Sequence, residues 1–167
     1  MEGVAIGSDE PLKIDRDTLA KRMSAPAVAE DLAAIGLRSP EDLLATFVAA
    51  DDALAAYLDD TPSLTDDRPR IEYYNFYPAT PILVEDLKRL REPVERYLAT
   101  RSSEDQQLEV ARNVVDAIWE EHEATAYGNL AAARSALGVA LKLEPNNLYL
   151  RFLDRKQRAM AAEASPR

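Results

Sequence analysis

The sequence predicts a mainly α fold, in which short helices follow a lone strand and then give way to longer amphipathic helices ending in a hairpin. Three observations carry this. Apolar residues recur at helical spacing over most of the chain, and cap or breaker residues stand at the ends of those runs. Only two short stretches, Val4 to Gly7 and Ile71 to Tyr74, combine β-forming side chains with flanking breakers.

Taken in order, Val4-Ala5-Ile6-Gly7-Ser8 reads as a buried strand without a neighbouring partner strand. Asp15 or Asp17 caps a helix carrying Leu19 and Met23, and Val28, Leu32 and Ile35 repeat at helical spacing before Gly36, which suits a left-handed C′ position. Ser39-Pro40-Glu41-Asp42 supplies an N-cap hydroxyl, proline at N1 and acids in the first turn of a helix presenting Leu43, Leu44, Phe47 and Val48 inward. Asp51 and Asp52 restart the chain as a helix through Leu54, Tyr57 and Leu58, and Asp59-Asp60-Thr61-Pro62 ends it. Thr80-Pro81 opens a further helix with Leu83, Leu87, Leu90, Val94, Tyr97 and Leu98 on one face, and Pro93 predicts a break near Arg91. Ser103 and Gln106 form a capping box before a helix whose inner face carries Leu108, Ala111, Val115, Ile118, Trp119 and His122. A helix with Leu130, Ala133, Leu137, Ala140 and Leu141 facing inward runs to Pro145, and Asn147 caps a last helix carrying Leu150, Phe152 and Leu153. Residues 161–167 are expected to fray.

Composition narrows the function. With 167 residues the chain can bury one sizeable core or two small ones. Thirty acids against twenty bases give a formal charge of −10, which opposes phosphate backbones and anionic membranes, so no nucleic acid partner is expected. The absence of cysteine excludes disulfides, thiol catalysis and thiolate metal sites, and is compatible with a cytoplasmic location. No run approaches the roughly 20 apolar residues that span a bilayer, and the first residues lack an export signal, so no membrane segment is expected.

The candidate chemistry concentrates in one stretch. Asp66, Asp67 and Glu72 form an acidic trio that general acid–base work could use if burial split their pKa values, although Asp66-Asp67-Arg68-Pro69 is also good turn chemistry. Tyr73 and Tyr74 open the densest aromatic run, which as an exposed strip beside carboxylates would suit a cationic amine and as a buried one would serve a core or domain interface. No metal site is expected, because no further ligands follow the aspartates at the spacing of a calcium loop or a metal helix pair. His122, the single histidine, lies on an inner helix stripe near Trp119 and reads as a satisfied histidine rather than a catalytic base. The five glycines, at 3, 7, 36, 128 and 138, are too scattered to cradle a phosphate, so no cofactor is expected.

Two resemblances add to these readings. Gly128 through Asn147, in the order Gly-Asn-Leu-x-x-Ala-x-x-Ala-Leu-x-x-Ala-Leu-x-Leu-x-Pro-Asn-Asn, resembles the second half of a tetratricopeptide repeat, while Trp119 lies about two positions late for the repeat's first helix. Ile6-Gly7-Ser8-x-x-Pro11-Leu12, the Ser39 to Leu44 segment and Thr65-Asp66-Asp67-x-Pro69-x-x-Glu72 together resemble the C-terminal part of spermidine synthase-like proteins, over about Val4 to Phe76. That family resemblance implies that the first strand is a remnant of an α/β methyltransferase-like domain whose relatives transfer an aminopropyl group from decarboxylated S-adenosylmethionine to putrescine. The family's Gly-rich nucleoside loop and catalytic acids lie N-terminal to the matched region, so the resemblance implies no transfer chemistry for any residue here.

The expected organisation is therefore residues 1–78 as the C-terminal part of a spermidine synthase-like domain, 79–160 as a tetratricopeptide-like extension, and 161–167 as a tail. Three functional readings follow. The first is a non-catalytic C-terminal portion that packs on the methyltransferase-like domain or binds a protein partner, with self-association open. The second is an independent helical interaction module. The third is a small amine-acting enzyme using Asp66, Asp67 or Glu72.

Overall fold

The computed structural model describes residues 10–58, 84–100 and 106–163. Among them the chain forms eight α-helices: α1 (Arg16–Met23), α2 (Pro26–Ala34), α3 (Pro40–Ala45), α4 (Asp51–Leu58), α5 (Val84–Leu90), α6 (Gln106–Ala126), α7 (Leu130–Leu143) and α8 (Leu148–Glu163). A 3-10 turn at Val94–Tyr97 lies between α5 and α6. The strands expected at 4–7 and 71–74 fall outside the described residues. Within them the sole sheet-like feature is a parallel bridge between Ile14 and Leu98. There the Ile14 N–H donates to the Tyr97 carbonyl at 2.7 Å and the Ala99 N–H donates to the Ile14 carbonyl at 2.8 Å.

Local chemistry sets most helix ends. Asp15 accepts from the Thr18 N–H at 2.7 Å and so satisfies an orphan donor at the start of α1. Ser39 and Asp42 complete a capping box: the Asp42 N–H donates to Ser39 Oγ at 3.2 Å, and Asp42 Oδ2 accepts from the Ser39 N–H at 2.9 Å. Two helices end in the same left-handed motif. At Gly36 (φ 87°) the Leu37 N–H reaches back to the Leu32 carbonyl, and at Gly128 (φ 73°) the Asn129 N–H reaches back to the Ala124 carbonyl. The break expected near Arg91 is present, since α5 ends at Leu90 and Pro93 precedes the 3-10 turn. At the other end of the chain α8 continues through Glu163.

The long helix α6 is the wall between two cores. Leu108, Ala111, Val115 and Trp119 face the first, which contains Leu44 and Ala45 of α3, Val84 of α5, Val94 and Leu98. This core draws on residues from both sides of position 78. Val114 and Ala117 face the second, shared with Leu137 and Ala140 of α7 and Leu150 and Leu153 of α8. The α6–α7 interface is the most extensive between any two helices described. Ala133 and Ala140 are fully buried on α7, because small side chains at i and i+7 let two helix backbones approach closely.

Two expectations about inward faces are corrected. Leu130 is exposed at 38%, because it occupies the first helical position after the turn and the buried stripe of α7 begins one turn later at Ala133. The α6 inner face is two stripes rather than one, so Ile118 and His122 are half-buried while Val114, Ala117 and Glu121 are buried.

Candidate functional site

A buried carboxylate organises the most polar part of the interior. Glu121 continues the apolar stripe Val114–Ala117 on α6, and Gln157 continues the stripe Leu150–Leu153 on α8, each one turn beyond the last apolar residue. The two helices bring these polar positions together. Gln157 Nε2 donates to Glu121 Oε1 at 2.7 Å, and Thr125 Oγ1 donates to the same oxygen at 3.0 Å. Glu121 Oε2 lies 2.5 Å from His122 Nδ1, and His122 Nε2 lies 3.0 Å from the Tyr149 hydroxyl. Beside the carboxylate, Nδ1 carries the proton and donates to Glu121, while Nε2 pairs with the Tyr149 hydroxyl.

A carboxylate, an imidazole and a hydroxyl in line is the order that activates a nucleophile in hydrolases. Here the hydroxyl belongs to Tyr149, and burial, helped by the charge of Glu121, pushes its phenol above its ordinary range. The groove described on this part of the molecule opens elsewhere, between Arg134, Gly138 and Leu141 of α7 and Asp154, Arg158 and Ala161 of α8. The array therefore works as a polar tie between α6 and α8, with both histidine nitrogens satisfied.

A second charged cluster lies on the other side of α6. Arg91 stacks over Trp119 with its guanidinium carbon 4.2 Å from the ring centre, and Nη1 donates to Asp116 at 2.7 Å. Burial holds its pKa below the usual arginine value despite Asp116, which leaves the group charged at neutral pH. Close by, Arg112 grips Glu95 with two bonds of 2.8 and 2.6 Å, and that bidentate contact keeps the Glu95 carboxyl below its ordinary range.

Asp66, Asp67, Glu72, Tyr73 and Tyr74, the expected acidic and aromatic candidates, lie outside the described residues. Among the described residues there is no cluster of three or more His, Asp or Glu side chains placed to hold a metal. None of their helices is long and apolar enough to cross a membrane.

Glu121 and Gln157 escaped sequence reasoning, although the signal was present. Each is a polar residue at the next position of an apolar stripe, Val114–Ala117–Glu121 and Leu150–Leu153–Gln157. The Leu150–Leu153 stripe is legible in the sequence, whereas Val114–Ala117 lies beside the expected Leu108–Trp119 face and emerges only because α6 buries two faces.

The outer surface completes the picture. On α2 no residue is buried, and Val28 and Ile35 are 43% and 56% exposed. Ile35 and Leu148 flank the contact at which Asn147 Nδ2 donates to the Gly36 carbonyl at 3.1 Å, and Phe152 stacks on Tyr149 one turn further along α8. Leu148 and Phe152 are each at least half exposed. No family model, no curated protein and no solved structure matches this chain.

Proposed function

We propose that this chain is a non-catalytic helical docking module, the C-terminal portion of a spermidine synthase-like protein, which packs on the methyltransferase-like domain or on a protein partner. The observation that carries the docking role is the exposure of three large apolar side chains near the α2–α8 contact, Ile35 just after α2 and Leu148 and Phe152 on α8. Large exposed side chains of this kind gain by meeting another apolar surface. The order of residues from Gly128 to Asn147 supports reading α6 to α8 as a degenerate tetratricopeptide-like unit, and such units present surfaces rather than pockets. The non-catalytic reading rests on the lack of a Gly-rich nucleoside loop in the sequence. The link to spermidine synthase-like proteins rests on the Ile6 to Leu12, Ser39 to Leu44 and Thr65 to Glu72 segments alone.

The test is to titrate the chain into a purified spermidine synthase-like catalytic domain by calorimetry, and to assay each protein for spermidine formation. The expected result is saturable association that Ile35→Glu and Phe152→Glu both weaken while leaving the helical circular dichroism unchanged, with no turnover by the chain alone. Turnover by the chain alone overturns the non-catalytic reading, and lack of association overturns packing on the methyltransferase-like domain.

A further inference from the structure

We infer that α2 is a locally opening segment, strung between fixed points at Met23 and Gly36, that unwinds and refolds while both cores stay folded. The inference stands whether or not the chain docks on a partner, and it rests on a contrast between three successive helices. The first, α1, is capped by Asp15, carries Asp17 in its first turn and Lys21 and Arg22 in its last, sends Leu19 to the first core and ends on buried Met23. The third, α3, starts in the Ser39–Asp42 capping box and gives Leu44 and Ala45 to the same core.

Between them α2 is weakly supported. Its N-cap position is Ala25, which makes no side-chain cap hydrogen bond, and the helix has no acid in its first turn and no base in its last. Asp31, in its C-terminal half, meets the negative end of the helix dipole unfavourably. Pro26 at N1 favours the start, but no residue of α2 is buried, and only Leu32 and Ala33 are half-buried. A helix of nine residues does not hold by propensity alone, because nucleation is costly and helices in proteins draw most of their stability from a packed face.

The segment is held at its ends instead. The Ser24 N–H donates to the Ala20 carbonyl at 3.0 Å, closing α1 behind Met23. Gly36 is buried, its carbonyl accepts from Asn147 Nδ2 at 3.1 Å, and Arg38 pairs with Glu144 at 3.0 Å. Asn147 also caps α8 by accepting from the Tyr149 and Leu150 N–H groups, so the pin at Gly36 belongs to the scaffold of the second core. A helix rises about 1.5 Å per residue and an extended chain about 3.3 Å, so unwinding residues 26–34 between two fixed points slackens the segment and bows it outward, with Val28 and Leu32 released from one face. Such an opening breaks helix hydrogen bonds without uncovering a core residue, which separates its free energy from that of global unfolding.

The experiment is native-state hydrogen exchange of the full chain, read by mass spectrometry over residues 27–35, 108–126 and 130–143 from zero to moderate urea. Amides of α2 should be at least about a hundredfold less protected than the slowest amides of α6 and α7. Their exchange should be nearly independent of urea, because opening exposes little new surface, whereas exchange of the slowest α6 and α7 amides should rise steeply with urea. Val114→Ala, in the second core, should speed those slowest amides about tenfold and leave α2 unchanged, since the open and closed forms lose the same core contact. Ala25→Asp, which supplies a cap where the backbone is already extended (φ −62°, ψ 129°), should slow α2 exchange about three- to tenfold. Exchange of α2 with the rate and urea dependence of α6, or its acceleration by Val114→Ala, overturns the inference. So does an α2 that Ala25→Asp fails to slow, or that shows no protection in either protein, since there is then no helix to open.

Discussion

The two cores on either side of α6 are built by different means. The first collects side chains from α3, α5, the 3-10 turn and α6, elements mostly too short to be stable alone, and it is rimmed by the Arg91–Asp116 and Arg112–Glu95 pairs. The second joins three long helices through alanines and leucines, with the buried Glu121–Gln157 contact at its edge. Large side chains filling an irregular space hold the first; closeness of helix backbones, permitted by Ala117 and Ala140, holds the second. The first core should therefore be sensitive to lost volume and the second to added volume.

Opposite substitutions sharpen that contrast. Leu108→Ala, at a fully buried site in the first core, should destabilise by about 2–5 kcal/mol through lost burial and a cavity. Ala140→Leu, at a fully buried site of the second core on α7, should cost about 1–3 kcal/mol by overpacking it. Urea unfolding of both variants measures the two values. If Ala140→Leu were neutral, close helix approach would not be what organises the second core.

The glycines give a smaller effect that separates backbone conformation from packing. Gly128→Ala should cost about 1 kcal/mol, the ordinary penalty for a left-handed residue, because no atom lies within 4 Å of the added Cβ. Gly36→Ala should cost more, about 2–3 kcal/mol, because the Cβ would also sit 2.7 Å from Asn147 Oδ1 and 3.1 Å from Tyr149 Cβ at the junction of α2 and α8. Gly138→Ala should stabilise by up to about 1 kcal/mol, as the site is helical and open. Thermal melts should rank Gly138→Ala highest, Gly128→Ala next and Gly36→Ala lowest.

The smallest effects separate the cores by pH. In the first, the folded pKa of Glu95 is depressed by Arg112, so its contribution is present above the ordinary carboxylate value of 4.5 and is lost as pH falls through the lower folded value. Solvent screening of a side chain 34% exposed keeps it within about 1 kcal/mol. In the second, the folded pKa of Tyr149 is raised, so its contribution is complete below the unfolded value near 10.0 and is lost as pH rises through the higher folded value. Urea midpoints across pH should show Glu95→Gln flattening the acid limb and Tyr149→Phe flattening the alkaline limb, each leaving the other limb intact. Both variants flattening the same limb would break the comparison.

The sequence by itself determined several helix ends among the described residues. Asp15, Ser39, Pro93, Pro145, Asn147 and the left-handed Gly36 act through bonds and sterics within a few residues, so their consequences are legible in order along the chain. It also carried the buried stripe from Leu108 to Trp119, because period alone encodes one face. Only the tertiary structure decided that α6 buries a second stripe, that α2 leaves Val28 and Ile35 in water, and that Glu121 meets Gln157, His122 and Tyr149. Those outcomes depend on which helices lie on each side. An apolar or charged residue on a stripe has the same local signature whether a neighbour covers it or not, and a carboxylate can be buried only once a partner such as Gln157, 36 residues away, is placed to receive it.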